Sequence, residues 1–309
     1  MKIAFLYPAS GISPHYVHLT WAKSLGSKVV ETPMGFGRFS LDQLKGSDIL
    51  LLESLYCAPF AKRYKKENPE CKVISIIADT SFWPKRLSLA RKIFYKMYLG
   101  AVDGFLADSI RIKNDIKNFI NRPVAVVRPF AVNRFDIKKR VFNKSLLFIG
   151  NDAEEKGYKY LVRAMDFLPD FELFLIGDCC KKVRTNKDNI HLEGKVPSLK
   201  KYFEKCSIYV HPADFEPFGV APLEAMYAGL IPILTKDVGL SEMFDRELKI
   251  LLLKDNNPKE IAKKISEIYS LKDKEKIIKK CKALARGWTE RKSIKLFKQS
   301  FFDVLSKVA

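Results

Sequence analysis

The sequence contains no run of ~20 apolar residues, so no membrane-spanning helix is expected. No Cys-x-x-Cys occurs among its six cysteines (Cys57, Cys71, Cys179, Cys180, Cys206 and Cys281), and no clustered histidines accompany them. That argues against a disulfide framework or a thiolate metal site and makes a reducing cytoplasm the expected compartment. The opening Met1-Lys2-Ile3-Ala4-Phe5-Leu6-Tyr7-Pro8 is too short and wrongly followed for a signal peptide, and reads better as a first buried strand. Internal repeats and a low-complexity tail are also absent.

Acidic residues are the scarce charge. Against 55 Lys and Arg there are 35 Asp and Glu, a formal net charge of +20. Residues 1–140 carry 24 basic and 11 acidic residues, so the smaller part of the chain holds the larger excess. Such a balance points to an anionic partner: nucleotide phosphates, an anionic lipid surface or nucleic acid. No recognised nucleic-acid motif and no aromatic-rich basic repeat is present, so nucleic acid is not the expected partner. A lysine-rich bias without function gives the same number.

What is present is a chain of 309 residues, 47% of them hydrophobic, enough for two domains of ordinary size. Short apolar runs alternate with helical stretches. Strands are expected at 2–7, Lys28–Glu31, Asp48–Ser54, Val73–Ala78, Gly104–Ala107 and Ala125–Arg128, then at 145–150 and Glu172–Gly177. This alternation predicts parallel, doubly wound sheets. Phe135 to Ser145 is basic and without clear period, and is read as an interdomain linker. Helical stretches are expected near 258–270, 273–286 and 289–307.

The most informative stretch is Phe215-Glu216-Pro217-Phe218-Gly219-Val220-Ala221-Pro222-Leu223-Glu224-Ala225-Met226. A strand-like run, Ile208–His211, precedes it, and Gly229 and a second strand, Ile231–Leu234, follow. Val220, Leu223, Met226 and Tyr227 have helical spacing. Glu216 therefore falls in a loop, and Glu224 on the first or second turn of a helix that Gly229 ends. The loop lies at the carboxyl end of a parallel strand, where open α/β sheets bind ligands. A helix start favours anions, and ionised carboxylates are strong acceptors for sugar hydroxyls. A solvated helix with ordinary surface glutamates is the plain alternative.

The Glu-Pro-Phe-Gly opening, the Leu-Glu-Ala-Met closing and the following Ala228-Gly229-Leu230-Ile231-Pro232-Ile233 resemble the retaining glycosyltransferases of family 4. The resemblance implies an α/β architecture of the GT-B kind, two Rossmann-like parallel-sheet domains with a cleft between them. It implies an acceptor-side domain over 1–138, a donor-nucleotide domain over 139–288 and a last helix, 289–309, returning to the first domain. It implies hexosyl transfer from a nucleotide-sugar donor to a hydroxyl acceptor, glycan or lipid-linked, with retention at the anomeric carbon. By the same resemblance Glu216 contacts the transferred sugar and Glu224 the ribose, with Phe218 and Gly219 beside the donor. The Asn151-Asp152-Ala153-Glu154-Glu155-Lys156-Gly157 segment keeps the lysine and glycine of the family's diphosphate grip, but Asn151 stands where arginine is expected. Gly11 is the one glycine in the first loop for the donor phosphates. Asp79, where family members have His-Asp, and His15 are weaker acceptor-side candidates; His15 and His18 read equally as capping or packing residues, and His211 reads first as a strand-end packing residue. With Lys156 present and no Asp-x-Asp, neither a metal nor another cofactor is expected.

Other readings stay open at this point: a phosphorylase or epimerase using the same cleft, a basic nucleic-acid binder, or a binding module without turnover. Phe82 to Leu99 leaves a second question. It holds five basic residues, no acidic ones, and six that are aromatic or methionine. That suits a helix lying peripherally on the inner face of an anionic membrane. It equally suits a Rossmann helix whose aromatics face the sheet.

Overall fold

Short apolar runs bounded by turn residues make the strands of both sheets, because strands covered on two faces need no polar alternation. The computed structural model describes residues 1–9, 15–33, 37–137 and 141–308. In the N-terminal part the strands are β1 (Ile3–Pro8), β2 (Lys28–Thr32), β3 (Ile49–Leu52), β4 (Lys72–Ile77), β5 (Gly104–Ala107) and β6 (Val124–Val126). Between them run α1 (Tyr16–Ser24), α2 (Ala58–Glu67), α3 (Leu89–Tyr98) and α4 (Ile110–Phe119). All strand pairs are parallel, in the order β2-β1-β3-β4-β5-β6. The edge strand β2 alternates, burying Val30 and Thr32.

The second sheet comprises β7 (Ser145–Ile149), β8 (Glu172–Ile176), β9 (Ile190–Gly194), β10 (Ile208–His211), β11 (Ile231–Thr235) and β12 (Leu252–Leu253). Its helices are α5 (Tyr158–Ala164), α6 (Lys200–Lys205), α7 (Val220–Ala228), α8 (Pro258–Ser270) and α9 (Lys274–Gly287). The order is β12-β11-β10-β7-β8-β9, again parallel. The strand order therefore reverses between β7 and β10, the point at which open α/β sheets take ligands.

The chain resolves into two units, Met1–Pro129 with Glu290–Ala309, and Phe130–Thr289. The break falls before the expected linker because residues 130–137 belong to the second unit: Ala131 and Ile137 are buried in its core and Phe135 packs against it. The last helix, α10 (Glu290–Ser306), belongs to the first unit. Trp21 of α1 stacks on Phe297, ring centroids 5.1 Å apart, and its indole N–H donates to Ser293 Oγ at 3.0 Å. Ser293 in turn donates to the Arg128 carbonyl at 2.6 Å, so the buried polar groups of this contact satisfy each other. Trp288 follows α9 and packs on the core of the second unit.

One buried charge pins the first unit together. His18 on α1 places Nδ1 3.2 Å from Glu53 Oε1, at the end of β3, and Nε2 4.0 Å from Asp108 Oδ2, at the end of β5. Glu53 Oε1 also accepts the His15 backbone N–H at 2.7 Å. Burial alone would favour a neutral ring, but Asp108 and Glu53 outweigh it and raise the His18 pKa to about 9. The folded state thus holds this proton more tightly than the unfolded chain. The stabilisation is complete below pH 6.5 and is lost as pH rises through about 9. We expect stability against thermal unfolding to fall across that interval, by roughly 1–3 kcal/mol, and the His18→Gln variant to show a flatter profile. Superimposable slopes for the two proteins would show that His18 carries no such charge.

Candidate active site

Two loops leave the sheet of the second unit at its switch point, one after β7 and one after β10. They are held backbone to backbone. Gly157 has φ +78°, and a Cβ there would lie 2.0 Å from the Pro212 carbonyl oxygen, so a side chain is excluded on both counts. Asp214 N–H donates to the Glu155 carbonyl at 2.8 Å. The Glu216 backbone is gripped in turn by the loop after β11: its N–H donates to the Asp237 carbonyl at 3.1 Å, and its carbonyl accepts from Gly239 N–H at 3.0 Å. These constraints bring Lys156, on a short turn at Glu154–Lys156, against Glu216.

Glu216 Oε2 accepts from Lys156 Nζ at 2.6 Å and from His211 Nε2 at 3.0 Å. A carboxylate can only accept, so His211 must carry its proton on Nε2. The ring is 2% exposed, stacks on Phe148 at 5.2 Å and has Tyr209 Oη 3.4 Å from Nδ1. Burial by itself would raise the Glu216 carboxyl. The charge of Lys156 and the hydrogen bond and charge of His211 overcome it and hold the pKa at about 2. The outcome is a largely buried carboxylate, ionised at neutral pH, with two donors on one oxygen.

Glu224 is built differently. It lies on α7, 4% exposed, and its Oε1 accepts from Val132 N–H at 3.1 Å, Asn133 N–H at 2.7 Å and Asn133 Nδ2 at 3.1 Å. Burial raises its pKa to about 7, against the lowering effect of those three donors. Gly219, with φ +101°, immediately precedes α7, where a Cβ would come within 2.9 Å of Pro222 and Val238. The first N–H groups of α7, like those of any helix, have no partner within the helix and offer an anion site.

Residues 130–284, half of the chain, match the family described as glycosyl transferases group 1. The chain belongs to that family. An uncharacterized glycosyltransferase of Methanocaldococcus jannaschii is 29% identical over 193 residues, which cover 59% of this chain and 54% of that protein. The chain thus spans about half the length of that curated relative, and 36% of a second from the same organism that is 30% identical over 141 residues. Among solved structures, HepE of Anabaena, determined in complex with UDP and glucose, aligns over 99% of both chains with TM-score 0.76 and 16% identity. The sucrose-phosphate synthase of Thermosynechococcus elongatus aligns over 100% of both, with TM-score 0.76 and 14% identity. At these identities the likeness is one of fold, and it agrees with the two-domain α/β architecture of the GT-B kind.

Within this group 1 chain the structure brings Lys156, Glu216 and Gly219 into one site, with Glu224 on the helix that begins there. It also adds His211. Sequence reasoning favoured a packing role for that ring. The available signal was position: the last residue of a strand, five before Glu216. Asn151 is exposed and spends its side-chain oxygen on Ala153 N–H at 3.2 Å, shaping the turn that carries Lys156. Phe218 is buried in the core, so its ring packs and only its backbone faces the loop. Gly11 lies outside the described residues. Asp79 and His15 belong to the first unit. The carboxylate of Asp79 accepts Ser81 N–H at 2.8 Å, and the His15 ring lies 4.9 Å from that of His18. Among the described residues no group of three or more His, Cys, Asp or Glu is arranged to hold a metal ion.

The depressed Glu216 pKa has a stability consequence. Its stabilisation is present above pH 4.5 and is lost as pH falls toward about 2. Lys156→Met, which leaves the carboxylate without its main cation, should destabilise the protein by roughly 1–3 kcal/mol at neutral pH. The gap from the parent protein should close progressively below pH 4.5 in thermal unfolding, whereas a gap independent of pH would mean the pair is not what the variant removed.

Proposed function

We propose that the protein is a retaining, nucleotide-sugar-dependent hexosyltransferase, with the donor bound on the second unit and a hydroxyl of a glycan or lipid-linked molecule as acceptor. The observation that carries this reading is the Lys156–Glu216–His211 cluster at the sheet switch point, beside the start of α7. Lys156 and Glu216 hold each other until a donor supplies phosphate to the first and sugar hydroxyls to the second. The C1–oxygen bond of the donor then breaks, its electron pair leaving with the nucleotide diphosphate. The acceptor oxygen bonds to C1 from the same face, and its proton passes to the departing phosphate oxygen. Lys156 and the N–H groups at Gly219 and the start of α7 stabilise that developing charge, a large term in such sites. Because Lys156 supplies positive charge, the reaction needs no divalent cation. Glu224, with one oxygen committed to Val132 and Asn133, turns the other to the ribose. Glucose and uridine nucleotides are the first donors to try, since the HepE structures hold UDP with glucose and UDP-glucose.

A nucleotide-sugar panel scored by thermal shift finds the donor: ligand at a hundred times its dissociation constant adds about 2.7 kcal/mol. With that donor, Glu216→Ala should abolish transfer while free nucleotide diphosphate still binds. Glu224→Gln keeps an oxygen for the Asn133 contacts and should weaken nucleotide binding by about tenfold, the loss of one charged hydrogen bond. Activity should survive excess chelator, and the anomeric proton signal of the first product should report retention. Substantial transfer by Glu216→Ala, or an inverted product, would contradict this reading. Consumption of donor without acceptor would favour a phosphorylase or epimerase.

A further inference from the structure

The face of α3 that looks outward is not the polar one. Leu89, Ile93 and Met97, spaced four apart and so on one side of the helix, are 74%, 52% and 49% exposed. Lys92 and Lys96 lie beside them on the same side and are exposed. The opposite side is the anchored one. Tyr95 is buried, stacks on Phe82 at 5.4 Å and donates its hydroxyl to the Ser81 carbonyl, and Arg91 Nη1 donates to the Thr80 carbonyl at 3.0 Å. Ser88 caps the helix start by accepting Arg91 N–H at 3.3 Å. The aromatics therefore do the packing, and the aliphatic residues are left outside.

The segment that carries α3 is basic throughout. No Asp or Glu occurs between Asp79 and Asp103, an interval holding Lys85, Arg86, Arg91, Lys92 and Lys96. Lys62 of α2 reaches over to the end of the helix, donating to the Met97 carbonyl at 2.9 Å. Beside α3 a cavity of about 230 Å³ is lined by Phe94, Tyr95 and Arg91 of the helix, by Leu55 and Tyr56 after β3 and by Ser81 after β4. The exposed stripe thus adjoins an aromatic recess at the carboxyl ends of two strands. Among the described residues no helix is long and apolar enough to cross a membrane, so a contact with lipid through these features is a surface contact.

We propose that the α3 face of the first unit docks on an anionic phospholipid bilayer, Leu89, Ile93 and Met97 entering the headgroup boundary while Lys92, Lys96 and the neighbouring basic residues meet lipid phosphates. An apolar stripe flanked by lysines has the chemistry of a helix lying in the interface plane. A purely polyanionic partner would leave three aliphatic side chains unused, and an apolar protein surface would leave the lysines uncompensated. This deepens the transferase reading by giving the acceptor a membrane-borne, lipid-linked form, but the docking itself rests on α3 alone and is measured without donor or acceptor.

The test is co-sedimentation of the whole chain with phosphatidylglycerol-containing and with pure phosphatidylcholine vesicles. Binding to the first, salt-sensitive and absent from the second, is expected. Lys92→Glu/Lys96→Glu should lower the partition coefficient by roughly tenfold or more. Leu89→Ser/Ile93→Ser/Met97→Ser should lower it by a comparable factor with charge unchanged. Lys117→Glu/Lys295→Glu, which removes the same charge elsewhere on the first unit, should have little effect. Absence of vesicle binding at low salt overturns the proposal. So does binding that the serine triple variant leaves intact, which marks a general polyanion site, and so does self-association without vesicle binding that the same variant abolishes, which marks a contact between copies. A protein that transfers sugar to a soluble acceptor yet ignores vesicles loses the docking proposal only. One that docks but transfers nothing loses the transferase reading only.

Discussion

Everything at the candidate site depends on one carboxylate oxygen. Glu216 Oε2 receives both Lys156 and His211, and neither contact would exist without the other constraints around it. Removing a carboxylate from water is costly unless donors replace the water. Here the replacement comes from Lys156 in the loop after β7 and His211 at the end of β10, and the loops after those two strands touch so closely that Gly157 has no room for a side chain. The buried charge is tolerated because the loops that carry Glu216 and Lys156 are joined backbone to backbone. Such a site is preorganised: it offers a fixed acceptor and a fixed cation at the end of two central strands.

The two glutamates of the motif illustrate how environment divides identical side chains. Glu216 faces a lysine and a histidine and stays ionised. Glu224, eight residues on, faces backbone and amide N–H groups without a cation and is pushed toward neutrality, to about 7. One is suited to hold hydroxyl groups by charge. The other fastens the segment at Val132 and Asn133 to the helix that starts beside the site, so a loss there would disturb geometry before chemistry.

Much of this was legible in the chain. The parallel sheets follow from continuous apolar runs such as Ser145–Ile149, and the helix expected near 258–270 is α8, Pro258–Ser270. The loop position of Glu216 and the stop at Gly229 also follow from local sequence. What was not legible is long-range. Glu224 meets Asn133 across 91 residues, and nothing local marks that pair. The burial of Ala131 and Ile137 in the core of the second unit is long-range in the same way. His211 looked like a strand-end residue because its partner is defined by a loop and not by spacing. On α3 both sides are apolar, one aromatic and one aliphatic. The aromatic side is the one held inward, where Arg91 and Tyr95 donate to the carbonyls of Thr80 and Ser81.

The measurement closest to the centre of this account is the ionisation of Glu216 itself. Protein labelled with carbon-13 at glutamate carboxyls, with the Glu216 signal assigned by its loss in Glu216→Gln, can be titrated by NMR. This signal is expected to remain that of the ionised carboxylate at pH 4.5 and to have its midpoint near 2, and Lys156→Met is expected to bring that midpoint upward. A Glu216 that titrates at 4.5 or above in the parent protein would contradict it, since no cation pair of the kind described could then be in place.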